Sequence, residues 1–327
     1  MHVLVTGARG FIGSHLCNAL ISKNVKVTGL SYKGTPTNEG IPTSSSIIAS
    51  NQKKFEIINC DIVQQSDLIK VFEQFEQPIE CIFHTAGKKY RKEFSSEVYF
   101  QNNFIGTLNL LECCRIFGIK KLVLSSTIAV YGHHANFPLG TDDPPFEQLP
   151  LVYLPIDEMH EVKPFPADFY AISKYFSEQL CKFYYDVFSV PCIILRLSRV
   201  YGPGLNSGPV FNAIKKALFN ENFDASDDAS SDFVFIDDVV KANIAAFEKI
   251  KKQFEVYNIG SGQEITLYKL CSKIIELCHS SSQLRFRVKP KSRFSLEISK
   301  AMRDMCYRPT TLEKGLMECV GYIKHLT

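Results

Sequence analysis

The chain has 327 residues, 45% of them apolar, with 37 lysines and arginines against 34 aspartates and glutamates. That balance describes an ordinary globular protein, long enough for one large domain or two modest ones, and needs no disordered tail. A formal net charge of +3 without a sustained basic run gives nucleic-acid binding no footing.

In chain order, "HVLV" predicts a first strand, followed by a helix from Phe11. Next come the strands "VKVTGL" and "FEIINC", a helix near Ser66 to Phe75, the strand "CIFHTAG", a long helix ending near Phe117, and the strand "KLVLSS". Short β-rich runs alternating with amphipathic helices imply an α/β fold, a Rossmann-like doubly wound parallel sheet covered on both faces. Further on stand the strand "PCIILRLS", the helix "DDVVKANIAAFEKI", read as capped by Asp237, and the strand "VYNIG". The division expected is a cofactor-binding domain over 1–197, to which 233–260 returns, and a smaller α/β substrate-binding lobe over 198–327. Two segments read as loops: Ser31 to Lys53, rich in serine, threonine and asparagine, and Gly132 to Asp168, with seven prolines and the adjacent His133 and His134.

The eleven cysteines contain no CxxC pair, and neighbouring histidines do not aim at one metal, so no metal site and no disulfide framework are expected. Reduced thiols, a first strand beginning at residue 2 and the lack of a bilayer-length apolar run predict a cytoplasmic protein without a membrane partner.

The stretch "TGARGFIGSHL" places Gly7, Gly10 and Gly13 right behind the first strand. There one glycine can turn tightly, a second lets backbone approach a pyrophosphate, and a third lets the next helix pack closely with its N-terminus toward the phosphates. A second constellation is Tyr170 and Lys174, four apart in "YAISK" and so on one helix face. An ammonium beside a phenol favours the phenolate and predicts a tyrosine pKa drawn from about 10 toward neutrality, usable for general acid/base work. Thr127, after "KLVLSS", is placed to hydrogen-bond the same substrate oxygen.

In order, "TGARGFIG", "CDI", "HTAG", "NFIGTLNLLE", "SSTIAVYG", "YAISK", "RLSRVYGPG", "DFVFIDDVV" and "VYNIGSG" resemble the extended short-chain dehydrogenase/reductases, the NAD-dependent epimerase/dehydratase family. The resemblance implies Thr127, Tyr170 and Lys174 as catalytic residues. It implies a cofactor site from Gly7, Gly10, Phe11, Ile12, Gly13, Asp61, Ile62, Thr85, Ala86, Gly87, Asn103, Ser125, Tyr170 and Lys174, with His84 a packed strand-end histidine. It implies a nucleotide-diphosphate sugar as substrate, met by Ser126, Thr127 and Arg199, and a homodimer built on two helices carrying Leu108, Leu111, Ile116, Phe176, Leu180 and Phe183.

Departures from the family pattern refine this. NAD-using members end the second strand in an acid, whereas this chain continues Ser31, Tyr32, Lys33; with Arg9, Ser31 and Lys33 suit a 2′-phosphate and favour NADP over NAD. Arg199 stands where many members have asparagine, and Ser231 where an arginine usually meets the pyrophosphate. Ile128 and Ala129 follow Thr127 where sugar 4,6-dehydratases carry an Asp-Glu pair, which argues against elimination. The expectation is a nucleotide-sugar epimerase, the alternatives being an NADPH-dependent ketoreductase and a cofactor-sensing protein that has lost the reaction. The long segment after Gly132 reads as a lid or specificity loop.

Overall fold

Fully buried strand sequences such as HVLVT and CIILRL cannot lie on a half-wet sheet, and they form the middle of a sheet covered on both faces. The computed structural model describes residues 1–32, 54–91, 93–132, 155–166, 168–225, 230–251, 253–286 and 293–326. The strands are β1 (His2–Thr6), β2 (Lys26–Ser31), β3 (Phe55–Asn59), β4 (Cys81–His84), β5 (Leu122–Thr127), β6 (Cys192–Leu197), β7 (Arg199–Tyr201), β8 (Phe223–Ala225), β9 (Ser230–Ser231), β10 (Phe233–Phe235), β11 (Phe254–Ile259), β12 (Ile265–Thr266) and β13 (Leu284–Phe286). Seven of them make one sheet in the order β11-β6-β5-β4-β1-β2-β3. Every neighbouring pair is parallel.

The order positions the site. From β1 the chain steps outward to β2 and β3, then crosses back to β4 on the other side of β1. Helices leave these two strands toward opposite faces, which opens a crevice at their carboxyl ends. Alternation along each strand divides the core: Val3, Val5 and Phe83 pack on one face with Leu16, while Leu4, Ile82 and Leu122 pack on the other with Leu110. A third cluster, around Ile214, Phe235, Leu270 and Leu316, joins the helices Pro209–Leu218, Leu267–Cys278 and Leu312–Lys324. Between sheet and third cluster sits Asp232, 0% exposed. Its side-chain oxygens accept from Ser261 N (2.6 Å), Gly262 N (3.0 Å), Leu296 N (3.3 Å) and Ser198 Oγ (3.2 Å), tying three segments to one side chain.

Three expectations change. The long helix ending at Phe117 is composite: an α-helical Ser96–Tyr99, a π-helical turn Phe100–Ile105 and the helix Gly106–Phe117. The widened turn accommodates the buried Asn103, and Gly106 admits Ile62, whose Cδ1 would stand 2.6 Å from a Cβ there. Asp237 does not cap its helix, because the chain turns helical at Ile236 and leaves Asp237 exposed in the first turn. Leu111 is 0% exposed and Leu108 and Leu180 pack on the core, so of the six residues expected on an outer face Ile116, Phe176 and Phe183 remain there. Most of the two expected loops, including Lys33, His133 and His134, lies outside the described residues.

No helix among the described residues is long and apolar enough to cross a membrane. Ten of the cysteines are buried and Cys306 is exposed, all as free thiols.

Candidate active site

At the carboxyl ends of β1, β4, β5 and β6 opens a cavity of about 420 Å³. Its first wall is the glycine loop. Gly7 holds φ +69°, and a Cβ there would stand 2.9 Å from Ala86 Cα. At Gly13 a Cβ would overlap the Gly7 carbonyl, so only glycine lets the helix Phe11–Ser22 begin this close to β1. Gly10, whose N–H donates to Gly7 O at 2.8 Å, caps that helix without a side-chain bond and with no acid in the first turn. Bare N–H groups at the positive end of a helix make an anion cradle. Opposite, Thr85 Oγ1 donates to Thr6 O (2.6 Å) and Ala86 N to Thr6 Oγ1 (3.1 Å), locking the β4 end to β1. His84 lies between Thr6 Oγ1 (2.8 Å) and Thr107 Oγ1 (3.0 Å), and burial pushes its pKa down to about 3, which makes it a neutral packing residue.

The floor carries Ser125, Ser126, Thr127, Tyr170 and Lys174. Thr127 ends β5, and its Oγ1 accepts from Ala129 N at 3.2 Å, bending the chain into the short helix Ile128–Tyr131. Asp168 Oδ1 accepts from Ala171 N at 3.0 Å and starts the helix Phe169–Phe188 just ahead of Tyr170. Thr127 and Tyr170 line the cavity together, and Thr127 is the hydrogen-bonding side chain that acts on the Tyr170 hydroxyl. Ser125 Oγ is buried there without a partner among the described residues.

The expected drop in the tyrosine pKa does not occur. Burial pushes Tyr170 up to about 12, with Asp168 and Tyr99 adding to the rise and the Thr127 hydrogen bond opposing it. Burial lowers Lys174 to about 8, and the influences opposing it are Glu178, one helical turn further on, and after it Cys181. Desolvation exceeds the Thr127 hydrogen bond, so the phenol is held protonated.

The second wall comes from β7, β10 and the loop between Tyr201 and Val210. Arg199, Leu205, Ser207, Gly208 and Phe233 line it, and Lys89 reaches over from beyond β4, donating to Ser207 Oγ at 3.3 Å. Gly208, at φ +96°, caps the helix Pro209–Leu218, a second uncapped N-terminus at the cavity. Arg199 Nε donates to Ser231 Oγ at 3.1 Å, and burial lowers the guanidinium to about 10 with no acid among the described residues opposing it. Among the described lining residues are three cations, Lys89, Lys174 and Arg199, and no carboxylate.

Of the residues singled out in the sequence, Gly7, Gly10, Phe11, Ile12, Gly13, Thr85, Ala86, Gly87, Ser125, Ser126, Thr127, Tyr170, Lys174 and Arg199 meet at this one cavity. Arg9, Ser31, Asp61, Ile62 and Asn103 are not in its lining. Arg9 Nη1 donates to Asn59 Oδ1 (3.3 Å) at the β3 end, Ser31 is 3% exposed, and Asp61 accepts from Val63 N at 3.0 Å. The Asn103 amide is engaged behind the wall, accepting from Lys88 N (2.7 Å) and donating to Lys88 O (3.1 Å) and Ser173 Oγ (2.9 Å). Lys33 lies outside the described residues. Sequence reasoning missed Lys89, Ser207, Gly208 and Phe233; the glycine- and proline-rich "GPGLNSGP" was the available signal for two of them.

The model of the "NAD dependent epimerase/dehydratase family" matches residues 3–260. The chain belongs to that family. Among other members, a putative UDP-glucose 4-epimerase of Methanocaldococcus jannaschii is 31% identical over 99% of this chain and 98% of its own. The crystal structure of a UDP-glucuronic acid 4-epimerase from Bacillus cereus in complex with NAD shares 29% identity, with a TM-score of 0.80, over 100% of this chain and 97% of its own. The UDP-glucose 4-epimerase of Thermotoga maritima, solved with UDP-glucose, is 25% identical with a TM-score of 0.80, over 100% of this chain and 99% of that one.

Proposed function

We propose that this family member is a nucleotide-sugar epimerase that oxidises a sugar hydroxyl to a ketone and reduces it again from the other face of the ring. The observation that carries the reading is the meeting of Thr127, Tyr170 and Lys174 at the floor of one cleft whose described lining is cationic. Gly7, Gly10, Phe11, Ile12 and Gly13 would hold the diphosphate of a nicotinamide dinucleotide, in a cradle that a Cβ at Gly7 or Gly13 would fill. Ser125 offers the cofactor an unused hydroxyl, and Thr85, Ala86, Gly87 and Lys174 complete its cleft. When bound, the cofactor supplies the hydride acceptor and, in its oxidised form, a positive charge.

The chain's own residues handle the proton. Thr127 and Tyr170 both face the substrate oxygen; Tyr170 takes its proton during oxidation and returns it during reduction. The base is the phenolate, which the hydroxyl of Thr127, the ammonium of Lys174 and the positive charge of the oxidised cofactor would favour before oxidation and again after reduction; between the two steps Tyr170 is the neutral phenol. Arg199, Lys89 and the second helix N-terminus would take the substrate diphosphate. Ile128 and Ala129, each 1% exposed, place no proton donor after Thr127 for loss of water. The test is a panel of UDP- and dTDP-sugars incubated with purified protein and followed by product NMR: a second epimer must accumulate from one of them.

The cofactor preference proposed is NADP, with NAD the alternative that the Bacillus cereus relative binds. It rests on the serine where an acid would meet a ribose diol and on Arg9 at the neighbouring strand end. The same two residues favour the second reading, an NADPH-dependent ketoreductase, which would consume reduced cofactor in proportion to product. A homodimer is proposed from the exposed apolar side chains of two adjacent helices, Ile116 (49%), Phe176 (40%), Phe183 (50%) and Phe188 (43%). Light scattering at micromolar concentration should give twice the 37.0 kDa chain mass; the chain mass itself would count against it. The cytoplasm is the proposed place of action.

A further inference from the structure

Behind the cavity floor lies a buried charged pair that the proposed chemistry leaves unused. Glu178 is 2% exposed and Arg196 5%. Arg196, on β6, donates from Nη2 to Glu178 Oε2 at 2.7 Å and from Nε to both carboxylate oxygens at 3.2 Å. Ser126 Oγ, on β5 next to Thr127, donates to Glu178 Oε1 at 2.5 Å. The chain of bonds continues from Arg196 Nη1 to Tyr131 OH (2.9 Å) and from there to Asn258 Oδ1 on β11 (2.8 Å). Tyr170, Lys174 and Glu178 follow at four-residue steps along one helix, so all three share the face turned to the strand ends. A buried ion pair contributes little net stability compared with apolar residues of the same shape. Its position, between the strand that ends in Thr127 and the turn that carries Lys174, is what sets it apart.

We propose that Glu178 is a positioning residue: anchored by Arg196 and Ser126, its carboxylate keeps Lys174 an ammonium and fixes the helix register that brings Tyr170 to Thr127. The titratable and charged groups around it are Tyr170, Lys174 and Cys181 on its own helix, Arg196 and Cys192 on β6, Tyr131 and Glu158 beyond them, His84 on β4, and Cys114 on the helix Gly106–Phe117. His84 is neutral, and burial pushes Cys114 and Cys192 far up. Glu178 is then the largest influence opposing the burial of Lys174, ahead of Cys181, and the Lys174 proton is held up to about pH 8. Without the carboxylate the ammonium loses its proton at lower pH.

The inference rests on the proposed roles of Tyr170 and Lys174. Its test is the pH profile of turnover on the best sugar of the panel, together with that of NADH affinity read by fluorescence, for wild type, Glu178→Gln, Glu178→Asp and the charge-free double variant Glu178→Gln/Arg196→Met. Wild-type turnover and affinity should fall above about pH 8. In Glu178→Gln and in the double variant the fall should move about one pH unit or more toward acid, while Glu178→Asp keeps the wild-type limb. A folded Glu178→Gln with an unmoved limb in both profiles overturns the proposal. So does failure of both neutral variants to fold, because the pair is then a stability element alone. If Tyr170→Phe keeps its turnover, the acid/base reading itself fails, which is distinguishable from an inactive Tyr170→Phe beside an unmoved Glu178→Gln.

Discussion

The two walls of the cleft differ in what they offer a ligand. The glycine-loop wall contributes no charged side chain to the cavity; it offers backbone N–H groups at the start of a helix, brought close because Gly7 and Gly13 have no Cβ. The wall from β7, β10 and the loop before Pro209 presents side-chain cations, Arg199 and, across the mouth, Lys89, with no acid among the described residues opposing Arg199. A backbone cradle depends on shape and tolerates no added carbon. A side-chain cradle depends on charge and can be retuned by single substitutions, which suits the wall proposed to recognise a variable substrate.

The floor between them serves both, so the largest expected effect lies there. Tyr170→Phe should bind cofactor and substrate as before while turnover falls by roughly a hundred- to ten-thousand-fold, the range for a lost general acid/base; steady-state kinetics with a parallel cofactor titration checks this. On the backbone wall, Gly13→Ala should weaken cofactor binding roughly a hundredfold, the upper end of the ~1–3 kcal/mol cost of forcing carbon into packed structure. Calorimetry showing wild-type affinity would mean that the loop yields.

Arg199→Gln sharpens the contrast from the other side. Affinity for the nucleotide sugar should fall roughly ten- to a hundredfold, as expected for a lost charge-assisted contact, with cofactor affinity unchanged. Equal losses for both ligands would show that the walls are not independent. The smallest effect is expected at Arg9, which is partly exposed: Arg9→Ala should lose about tenfold in NADP affinity and almost nothing for NAD, and Ser31→Asp should shift preference toward NAD. Tighter binding of NAD by wild type, with Arg9→Ala affecting both cofactors alike, would make Arg9 an ordinary loop residue.

The same contrast explains what could be read from the sequence. The sheet strands and the glycine loop were legible because period, burial and the steric demand on Gly7 and Gly13 are local properties of a short stretch. Tyr170, Lys174 and Thr127 were legible through their spacing and resemblance, but the direction of the Tyr170 shift was not, since burial is set by the whole fold and here exceeds the hydrogen bond that opposes it. Lys89 and Ser207, 118 residues apart, come together only across the cleft. Glu178 reads in sequence as one more solvated helix acid, and only its contacts with Ser126 and Arg196 reveal it as buried. The π-helical turn at Phe100–Ile105 left no periodic trace because it inserts within an otherwise helical run.

The central claim is that one bound sugar is oxidised and then reduced by the same hydride. A nucleotide sugar carrying deuterium at the reacting carbon, C4 if this enzyme acts as its named relatives do, tests that most directly when the purified protein is the only catalyst and NMR follows the label. The account predicts a mixture of two epimers, both fully deuterated at that carbon, with no net change in reduced-cofactor absorbance. Loss of the label to solvent, or product formed only as NADPH is consumed, would contradict it.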